Sequence, residues 1–113
     1  MIPFKNRFHG HNSLRFVYKN GQAVRTRLVT IKVISNQHRK QTRIAVVVSK
    51  KIFKKAVQRN RVRRQIYEYA RQRLLESQDI HDIAIIVSSG EILTTPHTEM
   101  TEMLNQLFIQ AGL

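Results

Sequence analysis

All 20 Lys and Arg residues of the chain lie before position 74, and thirteen of them fall between residues 39 and 73. Acids run the other way: Glu68 is the only one before residue 74, and Glu76, Asp79, Asp82, Glu91, Glu99 and Glu102 follow it. A chain of this kind must fold so that a dense block of like charge stays in water while apolar positions interleaved with it reach a core. That requirement selects amphipathic elements over a buried or membrane-spanning block. The remaining composition permits a core: 42% of the 113 residues are hydrophobic, and Gly and Pro number 4 and 2. One domain over 1–113 is expected, without a linker or an internal repeat. No cysteine is present, which excludes a disulfide framework, a thiolate zinc site and a cysteine nucleophile. No apolar run approaches the roughly 20 residues of a membrane span, and Met1-Ile2-Pro3-Phe4 is too short for the apolar centre of a signal peptide. A soluble, unprocessed, cytoplasmic protein is expected.

The periodicities give an element order. Residues 12–20 read as a short helix, with Asn12 or Ser13 as cap, Leu14, Val17 and Tyr18 at helical spacing and Gly21 at the stop. Residues 27–34 alternate, placing Val29, Ile31 and Val33 on one face and Thr30 and Lys32 on the other. The polar stretch 35–41 reads as a loop. Ile44-Ala45-Val46-Val47-Val48 is apolar on both faces and reads as a central strand. From Ala56 to about Leu75 the period is helical: Val62, Ile66, Tyr69, Ala70 and Leu74 share one arc, and Asn60, Arg64, Tyr67 and Arg71 stand opposite, flanked by Arg59, Arg61 and Arg63. Ile83 to Val87 is a further buried strand, closed by Ser88-Ser89-Gly90. A last helix is expected with Thr95 as cap and Pro96 at its first position, carrying Met100, Met103, Leu104, Leu107, Phe108 and Ala111 inward, the methionines as core filler. The sum is a two-layer α/β domain.

Function is concentrated between Ser49 and Arg71. Lys50 and Lys51 leave a strand, Lys54 and Lys55 occupy a turn, and the helix opens with Arg59-Asn60-Arg61 and Arg63-Arg64. Cations and free backbone N–H groups meet at one helix entrance, which favours phosphate, and guanidinium forks add bidentate contacts that lysine cannot make. A polyanion gains further from counterion release. Nucleic acid is therefore the leading partner; an anionic membrane would need a broad apolar face, and the apolar positions here are committed to a core. Asparagine is a mediocre helix former, so Asn60 amid arginines points to a hydrogen bond with nucleic acid or a turn contact. Tyr67 suits either stacking on an unpaired base or lying over the sheet edge.

The run Arg59-Asn60-Arg61-Val62-Arg63-Arg64, preceded by Val48-Ser49-Lys50-Lys51 and Ala56-Val57 and followed by Glu68 and Arg71, resembles the signature of the bacterial ribonuclease P protein component. Weaker counterparts extend over nearly the whole chain: Asn6-Arg7, Tyr18-Lys19-Asn20-Gly21, the strand before Ser49, the Asp82-Ile83 strand and the last helix. The resemblance implies a four-stranded central sheet with three helices and a left-handed βαβ crossover, where the usual topology rule gives a right-handed one. It implies a non-catalytic subunit of a ribonucleoprotein endonuclease for tRNA processing, in which the RNA subunit cuts the 5′ leader from precursor tRNA with Mg²⁺ bound mainly by that RNA. One protein copy per RNA, ribonuclease P RNA and precursor tRNA as partners, and no membrane are expected. The same likeness assigns Lys54, Lys55, Arg59, Arg61 and Arg63 to the RNA subunit. Leu14, Tyr18, Lys32, Lys50, Lys51, Asn60, Arg64 and Tyr67 are assigned to the single-stranded leader. Three of these depart from the usual pattern: the family has an aromatic at the Leu14 position and a cation at the Tyr67 position, and Lys32 stands where relatives can carry an aromatic. Stacking is thereby shifted toward the basic helix, and Lys32 toward phosphate contact.

Two competing classes remain in the residues. A protein-only nuclease needs paired carboxylates or a positioned histidine, for which Asp79-x-His81-Asp82 and His9-x-His11 are the candidates. Asp79 to Asp82 read more simply as a polar turn before a strand, so no catalytic or metal-binding residue is assigned. A general double-stranded-RNA binder would read duplex shape and tolerate many partners.

Overall fold

A computed structural model of the chain describes residues 11–35, 42–76 and 80–113, with side chains for all of these except 11–15 and 74–76. Helix α1 (His11–Asn20) leads into β1 (Gln22–Arg25), β2 (Val29–Ser35) and β3 (Arg43–Val47). Helix α2 (Ala56–Glu76), β4 (His81–Val87), a 3-10 turn at Gly90–Thr94 and α3 (His97–Gln110) complete the chain. The four strands form one mixed sheet in the order β1-β2-β4-β3. β1 and β4 each run antiparallel to β2, while β3 and β4 are parallel neighbours joined through α2.

The alternation seen in the sequence sets the layers. Val29, Ile31 and Val33 face the same side as their partners Val87, Ile85 and Ile83, and Ile44 and Val46 on β3 fall into line with Ile83 and Ile85. On that side α2 contributes Val62, Ile66 and Ala70, and α3 contributes Met100, Leu104, Leu107 and Phe108, to a single core sealed by Phe53 and Ile92. The two helices are also joined directly. The Tyr69 hydroxyl donates to Asn105 Oδ1, the Tyr69 and Phe108 rings meet edge to face at 5.4 Å, and Arg73 donates to the Leu113 carbonyl at 3.1 Å. Helix α1 takes the opposite face, where fully buried Val17 packs outside the main cluster. There Lys32, pointing away from Ile31, reaches the α1 backbone. Gly21 is required here by proximity: a Cβ at this position would stand 2.6 Å from the Val17 carbonyl oxygen and 3.2 Å from that of Val33.

Four sequence expectations are revised. The strand expected over 27–34 begins at Val29, because Thr26 to Val29 close a tight turn. Thr26 N–H donates to the Val29 carbonyl at 2.8 Å, and the Thr26 hydroxyl oxygen accepts from the Val29 amide at 3.1 Å. The short polar strand β1 precedes that turn. The run at 44–48 lies at the sheet edge; β4 is the central strand, buried from Asp82 to Ile85 and again at Val87. Its outer neighbour β3 is buried on one face, through Ile44 and Val46, and only half-buried on the other, at Ala45 and Val47. Finally, Pro96 itself stands at the α3 cap without a side-chain bond. The Thr95 hydroxyl turns back instead to the Glu91 carbonyl at 2.9 Å, closing the 3-10 turn. Residues 36–41 of the expected loop, and the Leu74 side chain of the helical stripe, lie outside the described residues.

Candidate nucleic-acid interface

The basic segment is built on a small apolar anchor. After β3, the Ile52 and Phe53 amides donate to the Ser49 carbonyl, both at 3.2 Å, and Phe53 is buried. This tight turn leaves Lys50, Lys51, Lys54 and Lys55 exposed around it. Arg59 then folds back, its Nη1 donating to the carbonyls of Phe53 at 2.9 Å and Lys54 at 3.0 Å. Arg59 thus staples the lysine turn to the first turn of α2. The helix carries no acid in that first turn, so cations crowd its positive dipole end, an arrangement that opposes folding and is relieved by an anion.

Further along α2, Asn60, Arg61, Arg64 and Arg71 are exposed and Arg63 is half-buried. Among the described residues no acid lies at ion-pair distance from Arg61, Arg63 or Arg64, whereas Arg71 makes a loose exposed pair with Glu68 at 3.4 Å. Asn60, Arg64, Tyr67 and Arg71 recur at helical spacing and form one stripe. Its orientation is fixed by Tyr67, whose hydroxyl accepts from the Val46 amide at 3.2 Å. The tyrosine therefore lies over the free edge of β3, and the stripe runs beside that edge.

On the face away from the main core, the sheet offers a narrow floor of Ala45 and Val47 from β3 with Ile86 from β4, all half-buried, whereas Ala84 beside them is fully buried where α1 packs on β2 and β4. Across this floor stands α1. Lys32 Nζ donates to the Tyr18 carbonyl at 2.8 Å and lies 5.5 Å from the centroid of the Tyr18 ring. Two residues expected to act separately are thus one unit: the ammonium caps the last turn of α1 and polarises the ring beside which it sits. Partial burial raises the Tyr18 phenol above its ordinary pKa. Between α1, which reaches over β4, and the α2 stripe beside β3, the open part of this face is the half-buried floor of Ala45, Val47 and Ile86.

The structure therefore joins Tyr18 with Lys32 on one wall, and aligns Asn60, Arg64 and Tyr67 on the other. Lys50, Lys51, Lys54 and Lys55 gather at the α2 entrance with Arg59, and Arg61 and Arg63 follow on the helix. Leu14 belongs to α1, with its side chain outside the described residues. Sequence reasoning missed the bidentate pair of Arg43 with Asp82, at 2.9 and 2.7 Å, with side chains only 12% and 3% exposed. That pair occupies both carboxylate oxygens of the residue offered as a nuclease metal ligand; the β3–β4 register, a long-range property, creates it. Asp79, His9 and the His11 side chain lie outside the described residues, and among the described residues no three His, Asp or Glu converge. Also missed was Phe16, 56% exposed on α1, which stands off the apolar spacing that singled out its neighbours.

A mixed four-stranded sheet with two helices on one face, one of them the cationic crossover helix beside the β3 edge, and a third helix on the other face defines a class of basic α/β proteins. The family model described as Ribonuclease P matches residues 2–112, and the chain belongs to that family. It is 31% identical to the ribonuclease P protein component of Pseudanabaena sp. (strain PCC 6903), over 98% of this chain and 95% of that one. Identity to the component from Prochlorococcus marinus (strain MIT 9312) is 26%, over 95% and 94%. Among solved structures, the Staphylococcus aureus RNase P protein superposes with a TM-score of 0.81 at 23% identity, covering 94% of each chain. The Thermotoga maritima RNase P protein does so with 0.76 at 24% identity, covering 89% of this chain and 94% of its own.

Proposed function

We propose that this protein holds the single-stranded 5′ leader of precursor tRNA against the catalytic RNA of ribonuclease P, and so supports removal of the leader without performing the chemistry. The observation that carries the reading is the trough: a narrow apolar floor on β3, an aromatic and an ammonium on one side, and on the other Arg64, which has no acid at ion-pair distance among the described residues. Single-strand binders combine such a cationic track with faces on which bases stack. Arg64, Asn60 and Tyr67 with Tyr18 and Lys32 line the path of the leader. Lys50 and Lys51 extend that path, while Arg61 and Arg63, with Lys54, Lys55 and Arg59 at the α2 entrance, face the RNA subunit. Mg²⁺ on that RNA supplies the metal chemistry of cleavage. The protein's contribution is electrostatic and orientational: two RNAs repel, and a domain of net charge +13 between them offsets the repulsion.

Cleavage of a precursor tRNA by a bacterial ribonuclease P RNA at low Mg²⁺, with and without the protein, tests this. Stimulation is expected, together with tighter binding of leader-bearing precursor than of mature tRNA. No stimulation and equal competition by unrelated duplex RNA would replace the reading with that of a general RNA binder.

A further inference from the structure

The sheet face that carries Lys32 continues past the trough toward the β1–β2 turn, and there it presents polar groups that the trough does not use. Arg25 stands directly across from Thr30 in the β1–β2 register, so both share the face of Lys32, which lies two residues, about 7 Å, along the strand from Thr30. The Thr30 and Ser88 hydroxyls pair at 3.3 Å in an exposed position. Each hydroxyl has one hydrogen to give. A single bond between them consumes one of the two, so the other is free to donate outward. Arg25 is exposed and, among the described residues, has no acid at ion-pair distance. Its neighbour Arg27 behaves differently, turning to Glu91 at 2.6 Å. Of the two arginines at this turn, Arg27 has an acidic partner in an exposed ion pair and Arg25 has none among the described residues.

We propose that Arg25, with the Thr30–Ser88 hydroxyl pair, forms a second sugar–phosphate site that grips the RNA strand after it leaves the trough toward the β1–β2 turn. The inference rests on the leader-binding reading above and adds a direction to it: the strand runs along β2, from the Tyr18–Lys32 unit to Arg25. A guanidinium and a hydroxyl donor side by side suit one phosphate and its neighbouring ribose, and read no base. The group therefore sets how much leader is held, not which sequence.

Binding of precursor tRNAs to the enzyme reconstituted with ribonuclease P RNA, with leaders of roughly two and roughly ten nucleotides, decides the matter. Arg25→Ala is expected to weaken the long-leader precursor about fivefold and to reduce its salt slope by about one, leaving the short-leader precursor unchanged. Arg25→Lys is expected to retain the slope, and Thr30→Val, which keeps the side-chain shape, to produce a smaller loss on the long leader only. Equal losses on both leaders, or no loss on either, would overturn the site while leaving the trough intact. A wild-type enzyme indifferent to the presence of a leader would instead remove the trough reading, and this site with it.

Discussion

Single side chains in this protein serve the fold and the RNA in different proportions. Arg59 is largely a fold residue, since two backbone carbonyls hold its guanidinium, whereas Arg64 is exposed and has no acid at ion-pair distance among the described residues. Arg64→Ala should consequently leave thermal stability near wild type. It should weaken precursor binding about fivefold and lower the magnitude of the salt slope by about one, with mature tRNA little affected, as read by filter binding across a salt series. Tyr18 gives a pH prediction. Its folded pKa is raised by burial, so the neutral phenol is favoured by the fold. The associated stability is fully present below the ordinary tyrosine value of about 10 and is lost as pH climbs through the folded value. Wild type should lose stability in that alkaline window more steeply than Tyr18→Phe, as read by denaturant midpoints measured across that pH range.

At the scale of elements, the join between α1 and the sheet is the most tightly specified. A Cβ on Gly21 meets two backbone oxygens, which cannot rotate away as a side chain can. Gly21→Ala should therefore cost about 1–3 kcal/mol, the usual penalty of overpacking, measured as a fall in the denaturant midpoint. It should also shift Tyr18 and Lys32 and reduce precursor affinity. Elements that bury a regular stripe were legible from residues alone: β2 through Val29, Ile31 and Val33, α2 through Val62, Ile66 and Ala70, and α3 through Leu104, Leu107 and Phe108. The misplaced central strand and the short β1 share a physical origin in pairing across distance, whereas the later start of β2 and the α3 cap are settled by local side-chain bonds. An apolar run such as Ile44 to Val48 reads as a central strand, and cannot record that Ala45 and Val47 stay half-buried or that a tyrosine, not a further strand, meets the outer edge. Strand β1 is four residues of mixed character, stable only because β2 supplies its partners. In the site, residue types and helix faces were readable, but the bond from Lys32 to the Tyr18 carbonyl and the Arg43–Asp82 pair required the register.

For the whole molecule, the charge distribution sets both stability and partner. The cationic turn and α2 entrance repel one another in the free protein, and the net charge of +13 opposes compactness throughout. A polyanion that binds only the folded form should raise the melting temperature. At a hundredfold excess over its dissociation constant the gain is about 2.7 kcal/mol, roughly ten degrees for a domain of this size. Combined Arg61→Ala, Arg63→Ala and Arg64→Ala substitution should lose much of that shift in a thermal melt with and without heparin. An unchanged melting temperature in wild type would mean that the cluster carries no electrostatic strain.

The crossover position of α2 has a mechanical consequence. Because β3 and β4 are hydrogen-bonded neighbours, the helix between them is tethered at both ends to the same two rungs of the sheet, and its inner side is bolted to α3 through Tyr69 and to the chain's end through Arg73. It cannot swing toward an incoming strand without drawing Val62, Ile66 and Ala70 out of the core. The arginines are thus presented by a rigid jig, and most of the entropy that a floppy basic tail would forfeit on meeting RNA has already been surrendered during folding.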